Sequence, residues 1–127
     1  MFAYEIDVRF RDCDAFGHVN NAVYLTYLEQ ARVEAWHHLL GTSGLPQDLI
    51  LARVEIDYRA PATLGDRVVV RLRVAAVGTK SFTLDCEIEN VRTRELVATA
   101  RTVQVMYDYT AGKSVPIPPD IRAKLQR

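Results

Sequence analysis

Two carboxylates one residue apart, Asp12 and Asp14, head the run Asp12-Cys13-Asp14-Ala15-Phe16-Gly17-His18-Val19-Asn20-Asn21, which leads into an aromatic-lined stretch from about Val23. The run gathers acidic groups, turn residues and the amides of a coming helix start, and this density favours enzyme chemistry over a generic binding surface. His18 adds an imidazole able to exchange a proton near neutrality. Turn positioning and substrate orientation are its alternative duties. Gly17 can adopt a close or positive-φ turn that brings a strand end toward the helix. Asn20 either bonds across a pocket or caps the helix, the safer reading. Ordinary turn and cap work also fits both aspartates.

The elements around the run must position it. Tyr4, Ile6, Val8 and Phe10 share one parity while Glu5, Asp7 and Arg9 share the other, which predicts a first strand over Tyr4 to Phe10 with one buried face. Tyr24, Tyr27, Leu28, Ala31, Ala35 and Leu39 recur at helical spacing, with Asn20 or Asn21 as candidate cap and Gly41 as the stop. Alternation predicts further strands at Ala52 to Tyr58, Val68 to Val74, Phe82 to Ile88 and from near Glu95 to Tyr107. A short helix after Pro119 or a frayed end completes the chain. Strand, long helix and four antiparallel strands give an α+β layer in which the helix buries its apolar stripe on the sheet. A second chain covering a sheet edge or completing a cleft makes dimerisation plausible.

At 127 residues the chain fits one compact core, a single domain over residues 1–127. Its 16 Lys and Arg balance 16 Asp and Glu, so net charge does not indicate a nucleic-acid surface. Glu5 and Asp7 interrupt any apolar leader pattern, which favours a soluble cytoplasmic protein without membrane insertion. Cys13 and Cys86 read as reduced thiols. Together with His18, His37 and His38 they form no metal-ligand spacing, so no metal is expected. Ser43 lacks the strand-serine-helix setting of a nucleophile elbow.

Asp12-Cys13-Asp14, Gly17-His18-Val19-Asn20-Asn21, Tyr24, Tyr27 and Glu29, followed by Tyr58-Arg59-Ala60-Pro61 and Gly65-Asp66, resemble the hotdog-fold thioesterases. The likeness extends over most of residues 4–107. It is closest to the branch of 4-hydroxybenzoyl-CoA thioesterases and related acyl-CoA thioesterases. The His-Val-Asn-Asn run departs from the 4-hydroxybenzoyl-CoA enzymes toward broader acyl-CoA relatives, which puts aromatic specificity in doubt. The resemblance implies a long central helix wrapped by a curved antiparallel sheet, a homodimer with two composite sites, and in some members a dimer of dimers.

By the same resemblance Asp14 is the catalytic residue, attacking a thioester carbonyl or acting as general base toward water. Asp12 is the weaker candidate. The backbone amide of Asn21 would polarise the carbonyl, aided by the helix dipole. Glu29 matches an acidic position that could orient water, although a solvent-facing carboxylate or an intersubunit ion pair also fits. Tyr24, Tyr27 and Tyr58 are candidates for the acyl pocket, with core packing the first expectation for the helical pair. Arg59, Lys80 and Ser81 are candidates for contact with CoA, and Arg92, Arg94 and Arg101 are weaker phosphate candidates. The activity implied is hydrolysis of a small or medium acyl-CoA to a free acid and CoA, with CoA as substrate carrier and no cofactor. The alternatives are an acyl-carrier-protein thioesterase and a noncatalytic acyl-binding homodimer.

Overall fold

A computed structural model describes residues 1–41 and 48–127. Ser43 lies outside the described residues. The chain forms β1 (Phe2–Asp7), a 3-10 turn (Phe10–Asp12), α1 (Val23–Leu40), β2 (Leu49–Tyr58), β3 (Arg67–Val77), β4 (Ser81–Asn90), β5 (Leu96–Asp108), β6 (Lys113–Ser114) and α2 (Pro119–Leu125). The sheet is antiparallel in the order β1-β3-β4-β5-β2, with β6 added to β5. Register shifts at Leu51/Arg53, Val74/Ala76 and Ile88/Glu89 each insert a local bend, and such irregularities curve a sheet around what it covers.

What it covers is α1, which packs on β1 and β3. The helix buries Tyr24, Tyr27, Leu28, Ala31 and Trp36. Opposite them stand Val68, Val70 and Leu72 of β3 and Phe82, Leu84, Cys86 and Ile88 of β4, the parity expected from alternation. Trp36 stacks on Phe82 with ring centroids 5.7 Å apart. Gly41 ends the helix in the left-handed region at φ 68°, with its N–H donating to the His37 carbonyl.

Several expectations change. The first strand stops at Asp7, because the chain turns into the 3-10 segment; Val8 remains in the core while Phe10 is 81% exposed. Neither Asn20 nor Asn21 is the cap residue, which is Ala22. Asn20 acts one step earlier, its Oδ1 accepting the Ala22 N–H at 2.9 Å. In β2, Ala52 and Tyr58 are exposed instead of inward, since this strand is an edge of the sheet. The segment after Pro119 is helical and buries Ile121 and Leu125.

Candidate active site

The chemistry-bearing run folds as a small hairpin between β1 and α1. Cys13 bridges Val19, the Asp14 N–H donates to the His18 carbonyl at 2.9 Å, and the Gly17 N–H returns to the Asp14 carbonyl at 3.1 Å. Gly17 has φ +83°, a region L side chains rarely adopt, and open space surrounds the position of its missing Cβ. The glycine is therefore required by the bend. A second hairpin edge forms where His18 bridges Thr63 and the Val19 N–H donates to the Ala62 carbonyl at 2.8 Å. Residues 58–63 are thereby held beside the run.

The two aspartates have different surroundings. Asp12 is 2% exposed. Its carboxylate accepts the Arg9 N–H at 2.9 Å, the Arg9 guanidinium at 3.0 Å and the Tyr27 hydroxyl at 2.8 Å. Burial disfavours its charge, but the hydrogen bonds from Arg9 and Tyr27 outweigh it and hold the carboxyl below its ordinary range. Burial, then Asp12 itself, pushes the Tyr27 hydroxyl far above the usual phenol range, so Tyr27 remains a donor. Asp12 is a structural clamp between the strand end and α1, and its candidacy for catalysis is set aside. The signal readable in sequence was the Arg9/Asp12 pair at i,i+3; the Tyr27 contact across 15 positions was not.

Asp14 is half-buried. One carboxylate oxygen accepts the Phe16 N–H at 2.9 Å, and the other has no protein partner among the described residues. A carboxylate oriented through one oxygen and free at the other can attack an electrophile or take a proton from water. Its charge also acts on the Tyr24 hydroxyl. Burial is the main cause raising that group, with Tyr58, Cys13 and Asp14 adding to it.

The helix start supplies the complementary group. The Asn20 carbonyl accepts the Val23 N–H at 2.9 Å, which fixes the plane of the Asn20–Asn21 peptide. Because a trans peptide sets the carbonyl and the next N–H on opposite sides, the Asn21 N–H is directed away from the helix interior. It has no acceptor among the described residues. The Asn21 carbonyl, in turn, accepts the Tyr58 hydroxyl at 2.8 Å. Tyr58 meets Tyr24 edge-on at 5.4 Å, and the Tyr24 hydroxyl accepts the Ala62 N–H at 3.2 Å. The Ala62 backbone contact was not foreseen from sequence.

Asp14, Gly17, His18, Asn20, Asn21, Tyr24 and Tyr58 are thus linked into one locus. Tyr24 is 4% and Tyr27 2% exposed, so both serve the core beneath it, whereas Tyr58 is 48% exposed and lies on its surface. Glu29 is exposed on α1 and makes no contact with this locus among the described residues. Arg59 turns to β5, its Nε donating to Thr99 Oγ1 at 3.0 Å. Lys80 and Ser81 sit at the far end of the sheet, where the Lys80 carbonyl accepts the Met106 N–H and Ser81 pairs with Val105. Within one chain they do not join the locus. Arg92 and Arg101 already pair with Asp66 and Asp85, and Arg94 lies in the β4–β5 turn, so the expected phosphate candidates do not converge. Among the described residues no cluster of three or more His, Cys, Asp or Glu could hold a metal ion.

Residues 8–125 match the family model described as the thioesterase-like superfamily. The chain is 29% identical over 129 residues to the long-chain acyl-CoA thioesterase FadM of Escherichia coli, covering 97% of this chain and 96% of that protein. It is 32% identical over 127 residues to a 1,4-dihydroxy-2-naphthoyl-CoA hydrolase of Synechocystis, with 92% and 88% covered. A solved thioesterase from Thermus thermophilus, complexed with coenzyme A and Zn, superposes with a TM-score of 0.85 at 34% identity, covering 99% of this chain and 98% of that one.

Proposed function

Since the chain belongs to the thioesterase-like superfamily, we propose that it hydrolyses a small or medium acyl-CoA to a free carboxylic acid and CoA at the locus of Asp14 and Asn21. The observation that carries this reading is that one hairpin holds both a carboxylate with an oxygen free and a helix-start amide without an acceptor among the described residues. Asp14 supplies the attacking oxygen or activates the water that attacks. The Asn21 N–H meets the negative charge that develops on the carbonyl oxygen. His18 and Gly17 shape the hairpin, and Tyr58 flanks the acyl group. FadM and the naphthoyl-CoA hydrolase act on CoA thioesters, and their likeness over nearly the whole chain supports the substrate class.

The working unit we propose is a homodimer of one hotdog domain, residues 1–127, in the cytoplasm. β2 is a sheet edge whose outer side has no strand partner among the described residues, and it exposes Ile50, Leu51 and Tyr58. Antiparallel pairing of β2 with its copy would set the Tyr58 end of one strand beside the Leu49 end of the other. Lys80 and Ser81 belong to that Leu49 end, because Leu49 and the Lys80 carbonyl both meet Met106. The pairing would therefore carry one protomer's Lys80 and Ser81 toward the other's locus, as a contact for pantetheine or phosphate requires. A dimer of dimers is compatible with this arrangement.

The test is free-thiol release across an acyl-CoA panel by wild type and by folded Asp14→Asn and Asp14→Ala. Turnover by the wild type that disappears in both variants is the expected result. Turnover only with acyl-carrier-protein thioesters would move the substrate to that carrier, and acyl binding without turnover of either would make the protein a binding module.

A further inference from the structure

A full-sized cavity stands apart from Asp14. It lies at the other end of α1, between the helix, the C-terminal half of β3 and α2, with a volume of about 680 Å³. Small-molecule sites span about 300–1,000 Å³, so this is a full-sized one. Trp36, Leu72, Val74 and Leu84 supply apolar wall. The charged side chains on it are Arg32, Arg73, Lys124 and Arg127, and among the described lining residues there is no aspartate or glutamate.

Arg73 is occupied by Asp85 at 3.0 Å. Arg32 differs. Its guanidinium has no hydrogen-bond or ion-pair partner among the described residues, and Glu29, one turn earlier, acts on it only through space. Burial pulls its proton affinity down, as expected of a cation taken from water without a bonded anion. A desolvated guanidinium beside an apolar wall is complementary to an anion with an apolar body, and a carboxylate matches its fork in shape as well as charge.

We infer that this cavity binds one aliphatic carboxylate, its head on Arg32 and its chain along Trp36 and Val74. The inference does not depend on thioester hydrolysis: absence of thiol release would leave it standing, and its own failure would leave the Asp14 locus untouched. If both hold, the ligand belongs to the class that the reaction releases.

Trp36 is the sole tryptophan, so its emission reports on the cavity directly. The experiment titrates the full chain with decanoate, decanol and decyltrimethylammonium below their micellar concentrations, with calorimetry in parallel. Decanoate should give a saturable change at one ligand per chain, and the cation should give none. Arg32→Gln should weaken decanoate by about tenfold or more, the scale of a lost hydrogen bond to a charged group. Ala35→Phe fills the cavity from the helix without changing charge and should abolish the response. Excess CoA and Asp14→Asn should leave it unchanged. The proposal is overturned by equal response to all three ligands, by insensitivity to both cavity variants, by displacement with CoA, or by absence of both emission change and heat. It is overturned equally by sedimentation showing a second copy seated in the cavity.

Discussion

Replacing Asp12 should destabilise the fold, whereas replacing Asp14 should abolish activity while leaving the fold nearly as stable as before. Asp12→Ala strands the Tyr27 hydroxyl, which is 2% exposed and donates to Asp12 at 2.8 Å. A buried hydroxyl left unpaired costs about 1–3 kcal/mol. The Arg9 guanidinium is 59% exposed, so its ion pair adds no more than about 1 kcal/mol. The sum, about 1–4 kcal/mol, is a sizeable part of the roughly 5–15 kcal/mol that holds a domain together. Asp14→Ala loses one turn bond at a half-exposed site, worth about 1 kcal/mol or less. Urea unfolding at fixed protein concentration measures each value. Adding Tyr27→Phe to Asp12→Ala removes both partners, so the double variant should be more stable than additivity predicts by about 1–2 kcal/mol. Because the Asp12 carboxyl is held below its ordinary range in the folded protein, its stabilisation is fully present above the ordinary carboxylate range and is lost as pH falls through the folded pKa. The stability gap between wild type and Asp12→Asn should therefore close in acid. A wild-type midpoint for Asp12→Ala, or a greater loss from Asp14→Ala, would refute the division of roles.

Three other outcomes are expected. Asn21→Ala keeps the backbone amide and should retain activity within a few-fold, whereas a folded Asn21→Pro removes it and should lose about 10²–10³ in kcat; equal kinetics for the two would dismiss the amide. The Gln104 side chain is 1% exposed, and its Oε1 has no partner among the described residues, while its Nε2 donates to Thr102 Oγ1 at 2.5 Å. Gln104→Met should thus unfold within about 1 kcal/mol of wild type or later, and a loss above about 2 kcal/mol would contradict that account. Burial pushes the Cys86 thiol up to about 11, so at pH 8 it should resist alkylation until urea is added, against immediate labelling of both cysteines in the native protein.

Periodicity made most elements legible, because α1 and the β3–β4 strands each bury one regular face and so write their period into the residue types. It failed where an element leaves that condition. β2 is an edge and exposes residues of both parities, and Phe10 continues an alternation that the backbone has already abandoned. In β5 the buried residues include Thr102 and Gln104, polar types that share a parity with Ala98 and Met106 and so leave neither face of the strand marked as the inner one. At the locus, Asp14 and the helix-start amides could both be picked out as candidates because they lie in one short run. The Asp12 clamp, the Tyr58 contact with the Asn21 carbonyl and the Ala62 contact with Tyr24 join segments distant in sequence, and no local spacing announces such contacts.

The sheet order also constrains when activity can appear. β3, β4 and β5 form a meander of neighbours in sequence, able to zip from short loops, whereas β1 reaches β3 across the whole of α1 and β2, and β2 reaches β5 across β3 and β4. Closing such long loops is the slow part of assembling a chain. The Asp14 hairpin hangs between β1 and α1, and Tyr58 ends β2, so the locus is built wholly from the late-arriving pieces. A refolding chain would acquire its β signal before the locus is assembled, and a nascent one would emerge with Asp14 first and the strands that position it last.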